Sequence, residues 1–293
     1  MELNGIINVS KPAGMTSHDV VARLRRILNT RKIGHTGTLD PDALGVLPIC
    51  VGKATKAADM LTANDKQYLA EVTLGSATDT QDSSGKVIKS AEVNVTDKDI
   101  AESVKKFTGD ISQIPPMYSA VKIGGKKLYE LARENKTVER KPRKIHISRI
   151  EITAFNLENN RFDMRVDCSK GTYIRTLIND IGEDLGCYAH MSGLTRTRSG
   201  SFELKDAYTL EDIETMFSAA DTSFLIPADK VFEEYESIKL YDRAAQMVRN
   251  GVRVRAPKTA RDGGIYRVYG DGGEFLTISR CEENRLRIIK TFF

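Results

Sequence analysis

The stretch GHTGTLDPDALGVLP, residues 34–48, is the most distinctive part of this chain. It holds three glycines, two prolines, a histidine and two aspartates between a helical segment and an apolar run. Each proline lacks an N–H and the glycines relax the backbone limits, so no regular helix or strand is predicted here. Pro41 pushes Asp40 toward extended backbone geometry. A carboxylate on a stiff loop suits a nucleophile, a base or a metal ligand, and it equally suits a tight turn.

Known site patterns leave that choice open. A Walker loop requires G-x-x-x-x-G-K-[ST], and residues 34–40 have no lysine at the required position. Asp40 and Asp42 imitate a metal-binding pair, but no convincing cluster of histidines or carboxylates accompanies them. Paired-carboxylate glycoside hydrolysis needs a second carboxylate, which the sequence does not place. His35 fits a general base and a turn hydrogen-bonder equally well.

The bulk composition fits a protein of two domains. With 293 residues and 40% hydrophobic content, the chain can bury a sizeable core. It has no run of about 18 apolar residues, so neither a transmembrane helix nor a membrane partner is expected. Residues 1–5 carry no basic region or apolar signal stretch, and we expect a cytoplasmic protein. The four cysteines are scattered without a C-x-x-C pair, which favours reduced thiols over disulfides or zinc.

Basic residues concentrate in two regions, although the net charge is only +4. Residues 122–149 hold ten lysines and arginines against three acidic residues, and residues 239–293 hold twelve against six. Residues 200–238 are acidic instead, with two basic residues against ten acidic ones. Solvated surface explains most charge runs, but two separate basic regions in a nearly neutral chain favour a polyanionic partner.

Hydrophobic periodicity predicts most of the regular elements. Thr16 with Asp19 fits a capping box that opens an amphipathic helix. Residues 66–75 alternate as a strand with Tyr68 on its apolar face, and residues 162–168 form the clearest half-buried strand. Further strands are expected at 5–9, 46–51 and 144–154, the last with a bulge near Ser148, and further helices at 53–61, 97–107, 128–134 (ending in Asn135) and 173–185.

Two segments differ in character from the rest. Residues 112–142 combine prolines, paired glycines and basic residues interleaved with Tyr118 and Tyr129, which predicts an exposed, mobile insertion suited to nucleic acid contact. From residue 239 onward, one short helix precedes several short β-prone pieces separated by glycines. We therefore expect an α+β domain over residues 1–238 and a small appended β-barrel over residues 239–293.

Arg175 and Tyr68 each admit a structural and a functional interpretation. Arg175 follows the tripeptide Gly-Thr-Tyr at the predicted start of a helix, where a surface arginine is the plain interpretation. The sharper one is an ion pair with a buried carboxylate such as Asp40, which keeps that carboxylate ionised. Core packing is the plain interpretation of Tyr68, because it lies on the apolar face of its strand.

Six motifs together resemble one known family. They are KPxGMTS at 11–17, GHTGxLDPxAxGxLP at 34–48, KxY at 66–68 with LG at 74–75, PMYSA at 116–120 with GKKLY at 125–129, CSKGTYIRTL at 168–177, and LxRT at 194–197. Over essentially its whole length, the chain resembles the TruB family of bacterial tRNA pseudouridine synthases. The second and fifth motifs are the most specific.

The resemblance implies a role for residues in these motifs. Asp40 is expected to be the catalytic aspartate, with Arg175 paired to it and Lys11 supporting the site. Asp42 is expected to be a spectator. The residues that the resemblance assigns to substrate binding are Lys11, His35, Tyr68, Tyr173, Arg175 and Leu194.

The expected contacts with RNA follow from the same resemblance. Tyr68 would stack on the target base, Tyr173 and Leu194 would line the uridine pocket, and His35 would touch the opened T-loop. Residues 112–142 would be the thumb-like insertion of the family. Thr195 stands where an arginine is common, which weakens at most one RNA contact.

The resemblance also implies the fold and the reaction. The fold is α+β, a pseudouridine synthase catalytic domain with a mixed, largely antiparallel sheet, flanking helices and the insertion, plus a small PUA-like β-barrel. The reaction is isomerisation of uridine to pseudouridine at position 55 in the T-loop of tRNA, by base flipping and an aspartate-dependent rearrangement. Neither a metal, an organic cofactor nor an obligate protein partner is implied. The alternative is a non-catalytic protein of the same fold that binds or folds tRNA.

Overall fold

The computed structural model describes residues 3–134 and 136–293. Its α-helices are α1 Ser17–Ile27, α2 Ala58–Thr62, α3 Asp97–Lys106, α4 Leu128–Arg133, α5 Ile174–Asp184, α6 Leu210–Ser218 and α7 Asp242–Arg249. Its strands are β1 Gly5–Lys11, β2 Ile33–His35, β3 Leu44–Val51, β4 Lys66–Leu74, β5 Ser76–Thr78, β6 Val87–Ser90, β7 Gly109–Gln113, β8 Lys122–Ile123, β9 Lys126–Lys127, β10 Arg143–Asn156, β11 Arg161–Cys168, β12 Ala189–Ser199, β13 Phe202–Glu203, β14 Glu236–Lys239, β15 Val254–Arg255, β16 Ile265–Tyr269, β17 Phe275–Glu282 and β18 Arg285–Thr291.

A nine-stranded sheet organises the larger part of the molecule. Its main order is β1-β3-β12-β4-β11-β10-β7, with β2 pairing to β3 and β13 to β12. Every pairing is antiparallel except that of β12 with β3. The predicted class, α+β with a mixed and largely antiparallel sheet, is confirmed. None of the helices in the described ranges is long and apolar enough to cross a bilayer.

The alternating strands form the floor of the main core. In β4, alternate residues from Lys66 to Leu74 are buried, and β11 buries Phe162, Met164, Val166 and Cys168 in the same way. Helices α1, α3 and α5 cover this face of the sheet with their apolar sides. Each fully buried large aliphatic or aromatic side chain stabilises such a core by roughly 1.5–3 kcal/mol. The capping box of Thr16 and Asp19 begins α1 as predicted.

Strand β12 lies at the centre of this sheet, between β3 and β4, and the sequence did not identify it as a strand. Its sequence, AHMSGLTRTRS, is polar and lacks a clean alternation. Register shifts against β4 interrupt its period, which explains why the pattern is hidden. This strand carries Leu194 and Arg196 into the site described below.

The expectation that residues 34–48 contain no regular strand is wrong at the N-terminal end of the stretch, and the strand expected at 46–51 begins two residues earlier than predicted. The end of β2 reaches His35, and β3 begins at Leu44 and runs through Pro48. Pro48 is tolerated because it lies where the neighbour of β3 changes from β12 to β2. Only residues 36–43 form an irregular loop, which we call the site loop.

Other local predictions are confirmed with small changes. The bulge in β10 falls between Ile147 and Arg149, at the predicted Ser148. The helix expected at 53–61 is a 3₁₀ turn over Gly52–Ala57 followed by α2. Helix α4 ends at Arg133, and its expected end at Asn135 lies outside the described residues.

The insertion between β7 and β10 contains a β8–β9 hairpin and α4. Most of its basic side chains are exposed, as expected. Leu128 is fully buried, however, and Ser119 is also buried, so the insertion packs against the body of the protein. We call residues 114–142 the arm.

A second sheet forms the C-terminal part of the chain. Its order is β14-β16-β17-β18-β15, a curled sheet consistent with the expected PUA-like fold. Its first strand starts at Glu236, three residues before the expected boundary at 239. Ile278 and Phe292 share a core with Ile6 and Val46 of the large sheet, so the two parts are packed together.

Candidate active site

The site loop is fixed on both sides of Asp40. The Leu39 N–H donates to Ser17 Oγ at 2.9 Å, at the start of α1. The Pro41 carbonyl accepts from Gly14 N at 3.0 Å and from Lys11 Nζ at 2.8 Å. The KPxGMTS segment, residues 11–17, therefore positions the carboxylate-bearing loop although it contributes no carboxylate itself.

Asp40 and Arg175 form a two-point ion pair. Arg175 Nε lies 3.0 Å from Asp40 Oδ2, and Arg175 Nη2 donates to Asp40 Oδ1 at 3.2 Å. The arginine side chain is 6% exposed, whereas that of the aspartate is 38% exposed. The pair thus buries the cation and leaves the carboxylate reachable, as a reacting group requires.

Arg175 is held by three further acceptors. Its Nη1 donates to the Thr80 carbonyl at 3.0 Å and to Asp82 Oδ2 at 3.3 Å. Its Nη2 donates to the Tyr118 carbonyl at 2.8 Å, at the base of the arm. The guanidinium therefore has a fixed orientation, and it joins the site loop, the turn after β5 and the arm.

The surroundings of Asp40 act on its pKa in opposite directions. Burial raises the pKa of the Asp40 carboxyl, and the nearby Asp82 and Asp42 charges add to that rise. Arg175 and, less strongly, Lys11 lower the pKa of Asp40 and so favour the ionised form. Burial prevails, so the pKa of Asp40 lies above its ordinary value, and Arg175 is the strongest of the influences that oppose this rise.

A cavity of about 260 Å³ opens beside Asp40. Tyr68, Tyr173 and Leu194 line it together with Asp40 and Arg175, so five of the seven predicted site residues meet in one place. The Tyr68 ring is 8% exposed and lies in the wall of this cavity. Its volume is large enough to accept one planar base.

A larger cavity of about 650 Å³ shares Asp40, Arg175 and Leu194 with the first. Its other walls come from the start of α1, the turn at residues 80–84 and the arm. In the arm, the Lys127 ammonium and the Arg133 guanidinium lie 5.3 and 5.4 Å from the centre of the Tyr129 ring. Cations and an aromatic ring together suit phosphates and bases.

Tyr173 is positioned by a residue that the sequence did not suggest. Gln113, at the end of β7, is 1% exposed. Its Oε1 accepts from Tyr173 N at 3.0 Å, and its Nε2 donates to the Tyr173 carbonyl at 3.2 Å. This two-point contact fixes the backbone just before α5 and hence the start of the helix that carries Arg175.

Lys11 supports the site from behind. It is fully buried, and its ammonium donates to the carbonyls of Pro12, Met15 and Pro41 at 2.8, 2.6 and 2.8 Å. Burial lowers the pKa of Lys11 to about 8. Lys11 is not among the residues lining either of the two cavities described. The structure therefore places it as a support of the site loop, away from the expected substrate contact.

His35 also lies outside the walls of the two cavities. Its ring meets that of His18 edge-on, with centroids 5.0 Å apart, and His18 lines the larger cavity. The His35 Nδ1 is buried and has no hydrogen-bond partner among the described residues. Burial and the neighbouring His18 lower the pKa of His35, which favours the neutral ring.

Sequence reasoning missed Asp82 and gave no role to Arg196. Asp82 lies in the polar turn over residues 78–85, and only the folded chain shows that it meets Arg175. Arg196 belongs to the LxRT motif, and an arginine that is 2% exposed in a central strand is unusual. The burial of Arg196 was not predicted because its strand, β12, was not predicted. No group of three or more His, Cys, Asp or Glu residues in the described ranges is arranged to hold a metal ion.

The arrangement allows chemistry at one carbon next to a base. A single oriented carboxylate can attack an electrophilic carbon or take a proton, while the adjoining cavity holds a planar leaving group. The profile of the TruB family pseudouridylate synthase N-terminal domain matches residues 25–174, which include the site loop and β4. That of the tRNA pseudouridylate synthase B C-terminal domain matches residues 175–233. The chain belongs to the TruB family.

Curated relatives agree with this membership. A tRNA pseudouridine synthase B from Clostridium kluyveri is 44% identical over 294 residues, covering 99% of this chain and all of the relative. One from Listeria monocytogenes is 49% identical over 254 residues, covering 85% of this chain and 84% of the relative. A chain in a crystal structure of a Cbf5–Nop10–Gar1 complex superposes with a TM-score of 0.75 at 29% identity, covering 99% of this chain and 85% of that one. As a TruB family member, the chain is a pseudouridine synthase, an isomerase.

The hydrogen bonds that Lys11 donates to three carbonyls lead to a first prediction. Lys11→Met keeps the length of the side chain but leaves three carbonyls without their donor, so the free energy of unfolding should fall by roughly 2–3 kcal/mol. Turnover should fall too, because Pro41 and therefore Asp40 lose their anchor. Urea denaturation and a single-turnover assay measure both effects. The exposed Lys32→Met variant is the control, and a Lys11→Met protein indistinguishable from it would refute the supporting role.

Proposed function

We propose that this chain isomerises uridine to pseudouridine at position 55 in the T-loop of tRNA, with Asp40 as the catalytic carboxylate. Family membership supports tRNA pseudouridylation, and the choice of the T-loop uridine follows from the motif resemblance. The observation that carries the catalytic assignment is the two-point Arg175–Asp40 pair at the mouth of a base-sized cavity.

The cavities support a mechanism in which the target nucleotide leaves the stack. Asp40 lies where the two cavities join, so a base in the smaller one places its sugar near the carboxylate. A base inside an RNA stack cannot reach this point, and flipping it out supplies the required access. Tyr68 would stack on the base, while Tyr173 and Leu194 would enclose it.

The reaction requires few groups. It breaks the N1–C1′ bond and forms a C5–C1′ bond within one nucleotide, without redox change or an external group. The Asp40 carboxylate can attack C1′, promote elimination to a glycal, or attack C6 of the base. Each route begins with an ionised carboxylate, and Arg175 supplies the charge that favours ionisation.

The rest of the RNA would bind to two basic surfaces. The arm would act as the thumb over the T-loop, and residues 239–293 would form the separate RNA-binding unit. In that unit, Arg255 of β15 lies directly opposite Arg285 of β18, and neither forms an ion pair with any residue the structure describes. Opposed like charges destabilise a sheet unless an anion neutralises them, which a phosphate does.

A matched pair of aspartate variants tests the catalytic assignment. Asp40→Asn should abolish pseudouridine formation in an unmodified tRNA transcript, because the amide cannot act as a carboxylate. Asp42→Asn, two residues away on an exposed part of the same loop, should keep turnover within about threefold of wild type. Pseudouridine is mapped by sequence position, and tRNA affinity is measured for each variant.

Three outcomes of that experiment would count against the proposal. Turnover by Asp40→Asn would remove Asp40 as the catalytic group. Product at another uridine, with none at position 55, would refute the T-loop assignment. Tight tRNA binding without product from the wild-type protein would favour the non-catalytic alternative.

The opposed arginines give a separate prediction. The Arg255→Gln, Arg285→Gln double variant should weaken tRNA binding several-fold at low salt and lower the salt dependence of the affinity. Saturated turnover should stay near that of wild type, because distant contacts supply uniform binding. The control is Arg287→Gln on the same strand, whose guanidinium is paired with Glu282 at 3.2 Å. Equal affinity of the double variant and this control would show that the opposed arginines bind no RNA.

A further inference from the structure

The buried Arg196 carries a charge that the proposed mechanism does not use. Its side chain is 2% exposed, and its Nε donates to the Val46 carbonyl at 2.7 Å. Its Nη2 is buried and has no hydrogen-bond partner in the described part of the chain. Burying a guanidinium with unsatisfied donors is costly, so a purely structural role explains this residue poorly.

Arg196 lies next to the residue expected to hold the base. In the register of β12 with β4 it is directly opposite Tyr68, and both line the smaller cavity. Burial raises the pKa of the Tyr68 hydroxyl, and the guanidinium of Arg196 opposes that rise through its charge and through a hydrogen bond to the hydroxyl. The positive charge is therefore close to the ring on which the uracil would stack.

Lys66 is a second buried cation in the same wall. It is 6% exposed, and its ammonium donates to the carbonyls of Thr62 and Asn64. No described carboxylate forms a salt bridge with Lys66 or with Arg196. Among the residues lining the cavity, Asp40 is the one carboxylate, and Arg175 already neutralises it. The inner wall of the cavity thus carries positive charge in excess.

Two anions of the substrate could meet this charge: a backbone phosphate and the uracil itself. A phosphate belongs to a hydrated chain at the cavity mouth, where the exposed Lys170 lies. Arg196 and Lys66 are almost inaccessible and lie beside the base-stacking ring. Their burial favours the planar uracil, which becomes an anion only while it is detached from the sugar.

We propose that Arg196, assisted by Lys66, stabilises the uracil anion that exists between cleavage of the N1–C1′ bond and formation of the C5–C1′ bond. This inference rests on the reaction proposed above. When N1–C1′ breaks, its electron pair stays on the ring and is shared by N1, O2 and O4. C1′ regains a bond either from an Asp40 oxygen, which later leaves, or as a C1′=C2′ double bond when Asp40 takes the C2′ proton, which is later returned. When C5–C1′ forms, the ring loses the C5 proton and N1 gains a proton, so the product is an isomer of the substrate. A fixed cation in a dry site lowers the energy of such a developing charge.

The test varies both the cation and the leaving group. Arg196→Met and Arg196→Lys are compared with wild type in single-turnover assays at saturating enzyme, on transcripts with uridine or 5-fluorouridine at the target position. Fluorine withdraws electrons, so the 5-fluorouracil anion needs less help from the protein. Formation of the carbon-linked product is followed for both substrates, together with tRNA affinity.

The proposal predicts a specific pattern of losses. Arg196→Met should slow conversion of uridine by about 100-fold, in the range found when one preorganised electrostatic donor is removed, and its loss on 5-fluorouridine should be clearly smaller. Arg196→Lys keeps the charge and should recover part of the rate. Binding of tRNA should change less than threefold. Arg198→Met, on the same strand but paired with Asp167 at 2.8 Å, is the control and should lose little activity.

The opposite patterns would overturn it. Equal losses on both substrates would assign Arg196 a structural role, and weakened binding with an unchanged saturated rate would assign it to a phosphate. If Arg196→Met does not fold, Lys66→Met tests the same claim, with a smaller loss that again shrinks on 5-fluorouridine. The proposed function is checked separately: wild type must form pseudouridine at position 55 and Asp40→Asn must not. If that check fails, the fault lies in the assigned reaction and not in Arg196.

Discussion

The two-point pair between Arg175 and Asp40 is the interaction on which the rest of the site depends. The guanidinium is almost fully buried and binds the site loop, the turn carrying Asp82 and the Tyr118 carbonyl of the arm at once. These segments are far apart in sequence, and this one side chain contacts all three of them. Because its orientation is fixed by several acceptors, the arginine opposes protonation of Asp40, while burial keeps the pKa of that carboxyl above its ordinary value.

Two supporting residues also fix the positions of the site through hydrogen bonds. Lys11 anchors the loop through the Pro41 carbonyl, and Gln113 fixes the backbone of Tyr173 just before the helix of Arg175. Neither provides a reacting group, yet both set positions on which the chemistry depends. The site brings together one oriented carboxylate and several cationic side chains.

Local patterns predicted much of the fold and little of its central connections. The capping box at Thr16 and the alternation in β4 and β11 are readable because each depends on neighbours along the chain. Strand β12 was not readable, since its polar residues and register shifts leave no period. Pro48 lies within β3, although proline is rare inside a sheet because it cannot donate a backbone hydrogen bond. It is accommodated here because the partner strand of β3 changes at this point. Asp82 and Gln113 are residues of ordinary turns and strands until tertiary packing sets them beside Arg175 and Tyr173. The motif resemblance brought most of the site residues together and gave Lys11 a supporting role, whereas the carbonyls that Lys11 contacts are known only from the fold.

Arg175 opposes the rise that burial causes in the pKa of Asp40, and this effect can be measured. Its most direct test is a ¹³C NMR titration of the Asp40 carboxyl in wild type and in Arg175→Met, with the resonance assigned from its absence in Asp40→Asn. Because Arg175 lowers the pKa of Asp40, the titration should be displaced to higher pH in Arg175→Met than in wild type. The same titration curve in both proteins would contradict it.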